Sequence, residues 1–279
     1  MSFKIVIDSC GELPEELKKD PRFESVPLTL IVGDSYEKND DDSFDQKEFL
    51  EVVANCPVCA KSACPSPERF MEAYNADVDN VYCITLSSKL SGSYNSAVLG
   101  KNLFEETYGS KNIYVVDSKS ASCGETQIAL KIMEWEAQGV PFDEITGRAE
   151  EFVKNMNTYF VLDNLDTLRK NGRMSGVKAV IASTLNIKPV MGADTGEIIQ
   201  LAKCIGMKKG LSKMTEIALK EAVDTENKTL MITHCNNLKG AETVKSLMEA
   251  GARFKNVIIL DTAGISSMYA NDGGVIMSL

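Results

Sequence analysis

Short apolar runs alternate with amphipathic stretches along the first half of the chain. Runs of strand length occur at 3–7, 23–32, 81–86 and 113–116, and apolar residues recur at helical spacing over 13–19, 93–106, 122–138 and 142–155. The later strands end at turns rich in serine and glycine. Strands that alternate with helices predict a parallel α/β sheet, and ligands of such sheets bind beyond the carboxyl ends of the strands.

The second half of the chain has a different order of elements. Strand-like runs lie at 158–162, 187–191, 198–204, 229–233 and 256–260, and helical patterns end near Leu168 and cover 178–185, 211–222 and 240–250. The residues Asp194-Thr195-Gly196 separate two strand-like runs and predict a hairpin. We therefore predict an α/β protein of two domains, with a parallel α/β sheet in residues 1–156 and an α+β mixed sheet in residues 157–279.

Capping patterns predict where two helices of the first half begin. Ser66 precedes Pro67 and is expected to cap the helix that follows. Ser43, with Gln46 three residues later, has the pattern of a capping box. The polar run at 39–42 is expected to form a solvated loop.

Composition excludes several classes of function. The 279 residues carry a net charge of −10, which repels nucleic acid and anionic membranes, so no nucleic-acid partner is expected. A transient contact with a membrane stays open. No apolar run reaches the ~18 residues of a membrane span, and the start of the chain lacks the pattern of a signal peptide, so we expect a cytoplasmic protein.

No metal or cofactor is expected from the motifs. Of the eight cysteines, only Cys56 and Cys59 form a CxxC pair, and the single histidine, His234, lies far from them. Neither a P-loop nor a glycine-rich dinucleotide motif after the first strand is present, which disfavours nucleotide cofactors.

The stretch LSSKLSGSYNSA at 86–97 contains serines that could act as a nucleophile, bind an anion or cap a helix. It lacks the G-x-S-x-G pattern of a serine hydrolase, although a serine–lysine dyad with Lys61 or Lys89 stays open. The same residues suit an anion, because the first N–H groups of a helix lack internal partners and the helix dipole is positive there. A third interpretation is that Ser91 simply caps the helix.

Four motifs in order resemble the DegV family. KSACPSPERF is similar to that family's TSxPS segment, with Ser62 at the threonine, and LSSKLSGSYNSA is similar to its S-x-x-L-S-G-T-Y-x-S-A motif, with Ser93 at the threonine. LDTLRKNGRMSG resembles L-x-x-L-x-x-G-G-R-I and keeps Arg173, and LNIKPVM resembles l-x-I-K-P-i. The order and spacing of the motifs extend over essentially the whole chain.

The resemblance implies a fatty-acid-binding function. DegV proteins bind a long-chain fatty acid in a tunnel between two domains, and some members present it to a fatty acid kinase subunit. It implies that the carboxylate is held by Ser62 and the turn of Ser91, Gly92 and Ser93, and that Arg173 lies near the head group or the domain seam. About 15 buried methylenes at ~0.8 kcal/mol each would make the tail the main source of affinity, and Phe160 and Leu162 are candidate tail contacts.

Two departures from the family pattern bear on kinase coupling. Tyr269 stands where the family usually has a histidine that supports the carboxylate, and its hydroxyl can still donate to that group as a neutral donor. Ile205 stands where an arginine is frequent. We therefore expect a non-catalytic lipid carrier without a cofactor, with kinase coupling left open. The alternatives are a serine-dependent lipid esterase or acyl transferase and a lipid-sensing interaction module.

Overall fold

The structure is a computed structural model that describes residues 2–174 and 186–279. The strands it contains are β1 (Phe3–Asp8), β2 (Phe23–Val26), β3 (Thr29–Val32), β4 (Tyr36–Asn39), β5 (Lys61–Ala63), β6 (Asn80–Thr85), β7 (Asn112–Asp117), β8 (Thr158–Val161), β9 (Ile187–Asp194), β10 (Glu197–Ile205), β11 (Thr229–His234), β12 (Asn256–Asp261) and β13 (Val275–Ser278). The helices are α1 (Glu15–Lys18), α2 (Gln46–Asn55), α3 (Pro67–Tyr74), α4 (Ser93–Tyr108), α5 (Cys123–Ala137), α6 (Phe142–Asn155), α7 (Asp166–Lys170), α8 (Met207–Glu221), α9 (Leu238–Gly251) and α10 (Gly264–Ala270). These elements form a parallel sheet, a mixed sheet and a small antiparallel sheet.

The predicted parallel sheet is confirmed, with strand order β2–β1–β6–β7. Because successive side chains of a strand point to opposite faces, its two central strands supply two cores. Ile5 and Ile7 pack on one face with α5 and α6, while Val6 packs on the other with α3 and α4. The carboxyl ends of β1 and β6 therefore open towards the loops that follow them, including the serine-rich turn.

The mixed sheet of the second half is also confirmed, with order β10–β9–β8–β13–β11–β12. Only β11 and β12 pair in parallel. Tyr159 and Val161 of β8 face α8 and α9, whereas Phe160 and Ile276 point to the opposite face, towards the first half. At the predicted hairpin, Thr195 and Gly196 have φ angles of 48° and 88°, which suit a two-residue turn between twisted strands.

Helix α5 lies between the two large sheets and contacts strands of both. Its apolar residues Ile128 and Ile132 pack on the parallel sheet, and the Gln127 amide donates to the Ser278 carbonyl of the mixed sheet at 2.6 Å. The domain boundary near residue 157 stays a prediction. No helix in residues 2–174 and 186–279 has both the length and the apolar character to cross a membrane.

Some local predictions were wrong. Ser66 caps α3 as predicted, accepting from the Arg69 N–H at 3.3 Å, but α2 is capped by Asp45, which accepts from the Glu48 N–H at 2.9 Å. Ser43 does not cap α2, because its hydroxyl donates to Asp41 instead. The run at 39–42 is not simply a solvated loop, since Asn39 ends β4 and Asp40 is buried. The helix predicted at 178–185 lies outside the described residues.

Strands β4 and β5 of the antiparallel sheet β4–β3–β5, and helix α10, show no sequence pattern from which they could be predicted. Strand β4 reads Tyr-Glu-Lys-Asn and exposes three of its four residues, and β5 has only three residues, so neither shows an apolar alternation. Helix α10 is rich in serine and small residues and is buried on almost every side, which removes the amphipathic period that marks a surface helix. Both elements border the site.

Candidate functional site

A cavity of about 750 Å³, counting its open mouth, lies between the parallel sheet and the mixed sheet. The wall from the first half contains Leu86 and Leu90, and the wall from the second half contains Phe160, Leu162 and Ile276. The two candidate tail contacts, Phe160 and Leu162, thus both line the cavity.

The structure brings two of the predicted head-group residues together at this cavity, Tyr269 in its lining and Ser62 next to Tyr269. The hydroxyls of Ser62 on β5 and Tyr269 on α10 are 3.4 Å apart, although 207 positions separate them in the chain. Tyr269 lines the cavity, and Ser62 is half-buried beside it. Two neighbouring hydroxyls of this kind can donate to the two oxygens of one carboxylate.

The serine-rich turn approaches the same β5 segment. A Cβ atom at Gly92 would lie 3.2 Å from the sulfur of Cys64, two residues after Ser62. Gly92 is exposed, and the half-buried Ser91 accepts from the Ser93 N–H at 3.2 Å. The structure shows no acceptor for the Ser91 hydroxyl proton among the described residues, so this proton can be donated to solvent or to a ligand.

Ser93 has different surroundings from Ser91. Its side chain is fully buried and donates to Asp8 Oδ2 at 2.6 Å, inside the protein. The two serines therefore differ in this turn. The Ser93 hydroxyl is hydrogen-bonded to the protein interior, whereas Ser91 lies where the chain approaches β5. Ser93 stays a predicted head-group contact that no bound ligand has tested.

Arg173 lines the cavity and joins the second half to the serine-rich turn. Its Nε donates to the Leu90 carbonyl at 3.1 Å, and its Nη1 donates to the Asn171 carbonyl. Asn171 in turn donates to the Ala60 carbonyl at 2.9 Å, next to β5. Since no carboxylate among the described residues pairs with Arg173, its charge is available near the cavity.

Two buried carboxyl groups, missed in the sequence analysis, support the helix that carries Tyr269. Asp40 accepts from the Gly264 and Ile265 N–H groups at 2.7 and 2.8 Å, so it caps the amino end of α10. Glu12 accepts from the Ala263 N–H at 3.3 Å and from the Ser122 hydroxyl at 2.8 Å. Burial raises the pKa of Asp40 to about 6 and the pKa of Glu12 to about 7.

Several hydroxyls that line the cavity form hydrogen bonds within its wall. Ser120 and Thr158 share a hydrogen bond of 2.6 Å, and the Ser266 hydroxyl donates to the Cys10 carbonyl at 3.2 Å. Together with Ser122, these polar side chains line the cavity with their protons directed into the protein. The space between them is consequently suited to an apolar chain.

Other candidates from the sequence lie away from the cavity. His234 accepts from the Asn237 N–H at 3.3 Å, and its Nδ1 is 3.4 Å from Asp261 Oδ1, so it is not placed beside any serine of the turn. Cys56 and Cys59 are free thiols. In the described ranges, no three histidine, cysteine, aspartate or glutamate side chains are arranged to hold a metal ion.

Comparison with known proteins identifies the family. The family model described as "Uncharacterised protein, DegV family" matches residues 2–276. The chain belongs to the DegV family. A DegV domain-containing protein of Streptococcus gordonii is 33% identical over 285 residues, covering 99% of this chain and 98% of the relative.

Two solved structures of DegV proteins have the same fold. A DegV family protein of Ruminococcus gnavus, refined with vaccenic acid, is 49% identical with a TM-score of 0.97, and all of both chains is covered. The fatty acid kinase (Fak) B3 protein of Streptococcus pneumoniae, loaded with linoleic acid, is 30% identical with a TM-score of 0.88, covering 100% of this chain and 99% of that one. The fold expected from the DegV resemblance is thereby confirmed.

Proposed function

We propose that this DegV protein binds a long-chain fatty acid and presents it, without catalytic turnover, to a fatty acid kinase. The carboxylate lies at the end of the cavity formed by Ser62, Ser91 and Tyr269, and the acyl chain extends between the two large sheets. The observation that carries the proposal is an apolar cavity with a hydroxyl pair beside it. The fatty acids in the Ruminococcus and Streptococcus pneumoniae structures support the choice of ligand.

The direction of the acyl chain follows from strand β8. Leu162, just beyond β8, packs with Tyr269 in one apolar cluster, whereas Thr158 starts the strand and pairs with Ser120. Four residues of extended chain cover about 13 Å. A fatty acid with its carboxylate beside Tyr269 would therefore extend past Phe160 towards Thr158.

Neutral and charged donors have different parts in holding the carboxylate. Hydrogen bonds to a charged group are stronger than those between neutral groups, so the Ser62, Ser91 and Tyr269 hydroxyls suffice to orient the acid. The guanidinium of Arg173 adds positive charge close by while it keeps its bond to Leu90. With tyrosine in place of the histidine usual in the family, this set of donors consists of hydroxyl groups alone.

The proposal that this protein presents its bound acid to a kinase rests on its similarity to the fatty acid kinase B3 protein. Ile205, at the end of β10 where the family often has arginine, is 66% exposed and supplies no charge to a partner. We expect phosphorylation of the bound acid by a fatty acid kinase to proceed with a lowered affinity between the proteins. Ile205→Arg should then strengthen that interaction.

The test is to denature the purified protein, extract it with solvent and analyse the extract by mass spectrometry. One long-chain fatty acid per chain is expected, and an extract without lipid from protein that also fails to bind added oleate would refute the proposal. Hydrolysis of p-nitrophenyl acyl esters is measured in parallel. Turnover that disappears in Ser91→Ala would favour the esterase or acyl transferase instead.

A further inference from the structure

Asp8 ends strand β1 and is fully buried beneath the serine-rich turn. Its carboxylate accepts three hydrogen bonds: from the Cys10 N–H at 3.1 Å, the Leu86 N–H at 3.0 Å and the Ser93 hydroxyl at 2.6 Å. Leu86 starts the turn and Ser93 ends it. A single carboxylate thus holds both ends of the segment that carries Ser91.

Glu125, in the first turn of α5, lies against Asp8 and Cys10 and is equally buried. Neither of its carboxyl oxygens has a hydrogen-bond partner among the described residues. A Cβ atom at Gly11 would lie only 3.1 Å from Glu125 Cβ, so the site is tightly packed. A buried carboxyl group without donors strongly favours its neutral form.

No lysine, arginine or histidine of the described residues is among the groups that act most strongly on the pKa of either carboxyl group of this pair. The acids and thiols that influence the pair or lie around it are Asp8, Cys10, Glu12, Asp40, Cys83, Cys123 and Glu125. Burial, and secondly the negative charge of Asp8, raise the pKa of Glu125 well above its ordinary value. Because Asp8 accepts from three donors and Glu125 from none, a single proton on this pair of carboxyl groups belongs on Glu125.

We propose that Asp8 is the positioning residue of the head-group turn, and that a protonated Glu125 beside it allows Asp8 to remain a carboxylate and keep all three bonds. Loss of the Glu125 proton would place two uncompensated negative charges side by side and loosen the turn. This inference rests on the proposed function, because the position of the turn affects ligand binding only if the turn carries the predicted carboxylate contacts.

Hydrogen exchange of ligand-free protein, followed by mass spectrometry, tests the inference without a ligand. In Asp8→Asn, exchange in the segment 86–93 should become at least ~10-fold faster, while strand β11 should keep its wild-type rate. Glu125→Gln, which imitates the protonated acid, should leave both segments as in the wild type. At alkaline pH, after correction for intrinsic rates, the wild type should lose protection in 86–93 and Glu125→Gln should retain it.

The same variants are then compared for oleate affinity. We expect a loss of at least ~10-fold in Asp8→Asn and less than ~3-fold in Glu125→Gln. Equal loosening of 86–93 in both variants, or loosening in neither, overturns the inference. If Asp8→Asn does not fold, Ser93→Ala removes one of the three donors, and an unchanged exchange rate in 86–93 counts against Asp8. A wild type that binds no oleate refutes the proposed function, while the exchange comparison still decides the role of Asp8.

Discussion

The serine-rich turn and the wall around Thr158 border the same cavity but use their hydroxyl groups in opposite ways. At the turn, the Ser91 proton has no acceptor among the described residues, and nearby the Ser62 and Tyr269 hydroxyls make only a long hydrogen bond of 3.4 Å. At the wall, Thr158 and Ser120 share a short hydrogen bond of 2.6 Å. Under the proposed function, hydroxyls beside the acyl chain stabilise the protein, whereas hydroxyls at the head group donate to the ligand.

The largest expected effect comes from the acyl chain. If the wall supplies most of the affinity, laurate should bind far more weakly than stearate. At ~0.8 kcal/mol per methylene, six fewer methylenes cost about 5 kcal/mol, which is more than a thousandfold in Kd. Competition against a fluorescent fatty acid measures the ratio. Near-equal affinities for the two acids would mean that the head group supplies most of the binding free energy, which contradicts the role given to the wall.

The buried acid that holds Ser122 in the wall should make stability depend on pH. The pKa of Glu12 is raised from 4.5 to about 7, so the folded state binds its proton more tightly and stability falls as pH rises between these values. At ~1.4 kcal/mol per unit, the loss is about 3 kcal/mol. Urea unfolding at pH 5 and pH 7.5 measures it.

Glu12→Gln serves as the control for that measurement. The amide cannot ionise, so the stability difference between the two pH values should shrink by the contribution of Glu12. An unchanged pH dependence in this variant would show that Glu12 is charged in the folded protein, contrary to its burial.

At the turn, removing hydroxyls should weaken binding and leave stability nearly unchanged. For Ser62→Ala/Ser91→Ala we expect a loss of about 2 kcal/mol in oleate affinity, or roughly thirtyfold. The matched control is Ser88→Ala, because the Ser88 hydroxyl donates to Asp117 at 2.6 Å and is committed to the protein. Equal losses in the double variant and the control would remove the distinction between the two kinds of serine.

The smallest effect on binding is expected at the wall itself. Thr158→Val keeps the shape of the side chain but removes the hydroxyl paired with Ser120. Stability should fall by about 1 kcal/mol, and oleate affinity should change less than ~threefold. Thermal unfolding and titration with oleate measure the two quantities, and a tenfold loss of affinity would place a polar part of the ligand at this position.

The sequence predicted the large sheets because their strands carry strong signals. β6 is buried along its whole length, and the Asp194-Thr195-Gly196 turn marks the hairpin between β9 and β10. Residues near the site were partly predictable as well: Ser91 lies in the turn that the sequence marked as suited to an anion, and Ser62 and Tyr269 came from the family resemblance. Periodicity alone identified none of them, because a turn has no period.

What the sequence could not predict are contacts between distant segments. Asp40 looked like part of a solvated acidic run, yet it caps α10, more than 220 positions away, through two N–H groups. Ser91 and Ser93 looked equivalent, and only the position of Asp8 separates them. Such pairings depend on how the sheets pack, which local patterns do not encode.

The most direct test of the account is a crystal structure with 16-bromohexadecanoic acid, in which the anomalous signal of bromine locates the end of the acyl chain. Bromine is expected at or beyond the Thr158 end of the cavity, with the carboxylate beside Ser62 and Tyr269. Bromine beside Tyr269, or an acid bound outside the cavity, would contradict it.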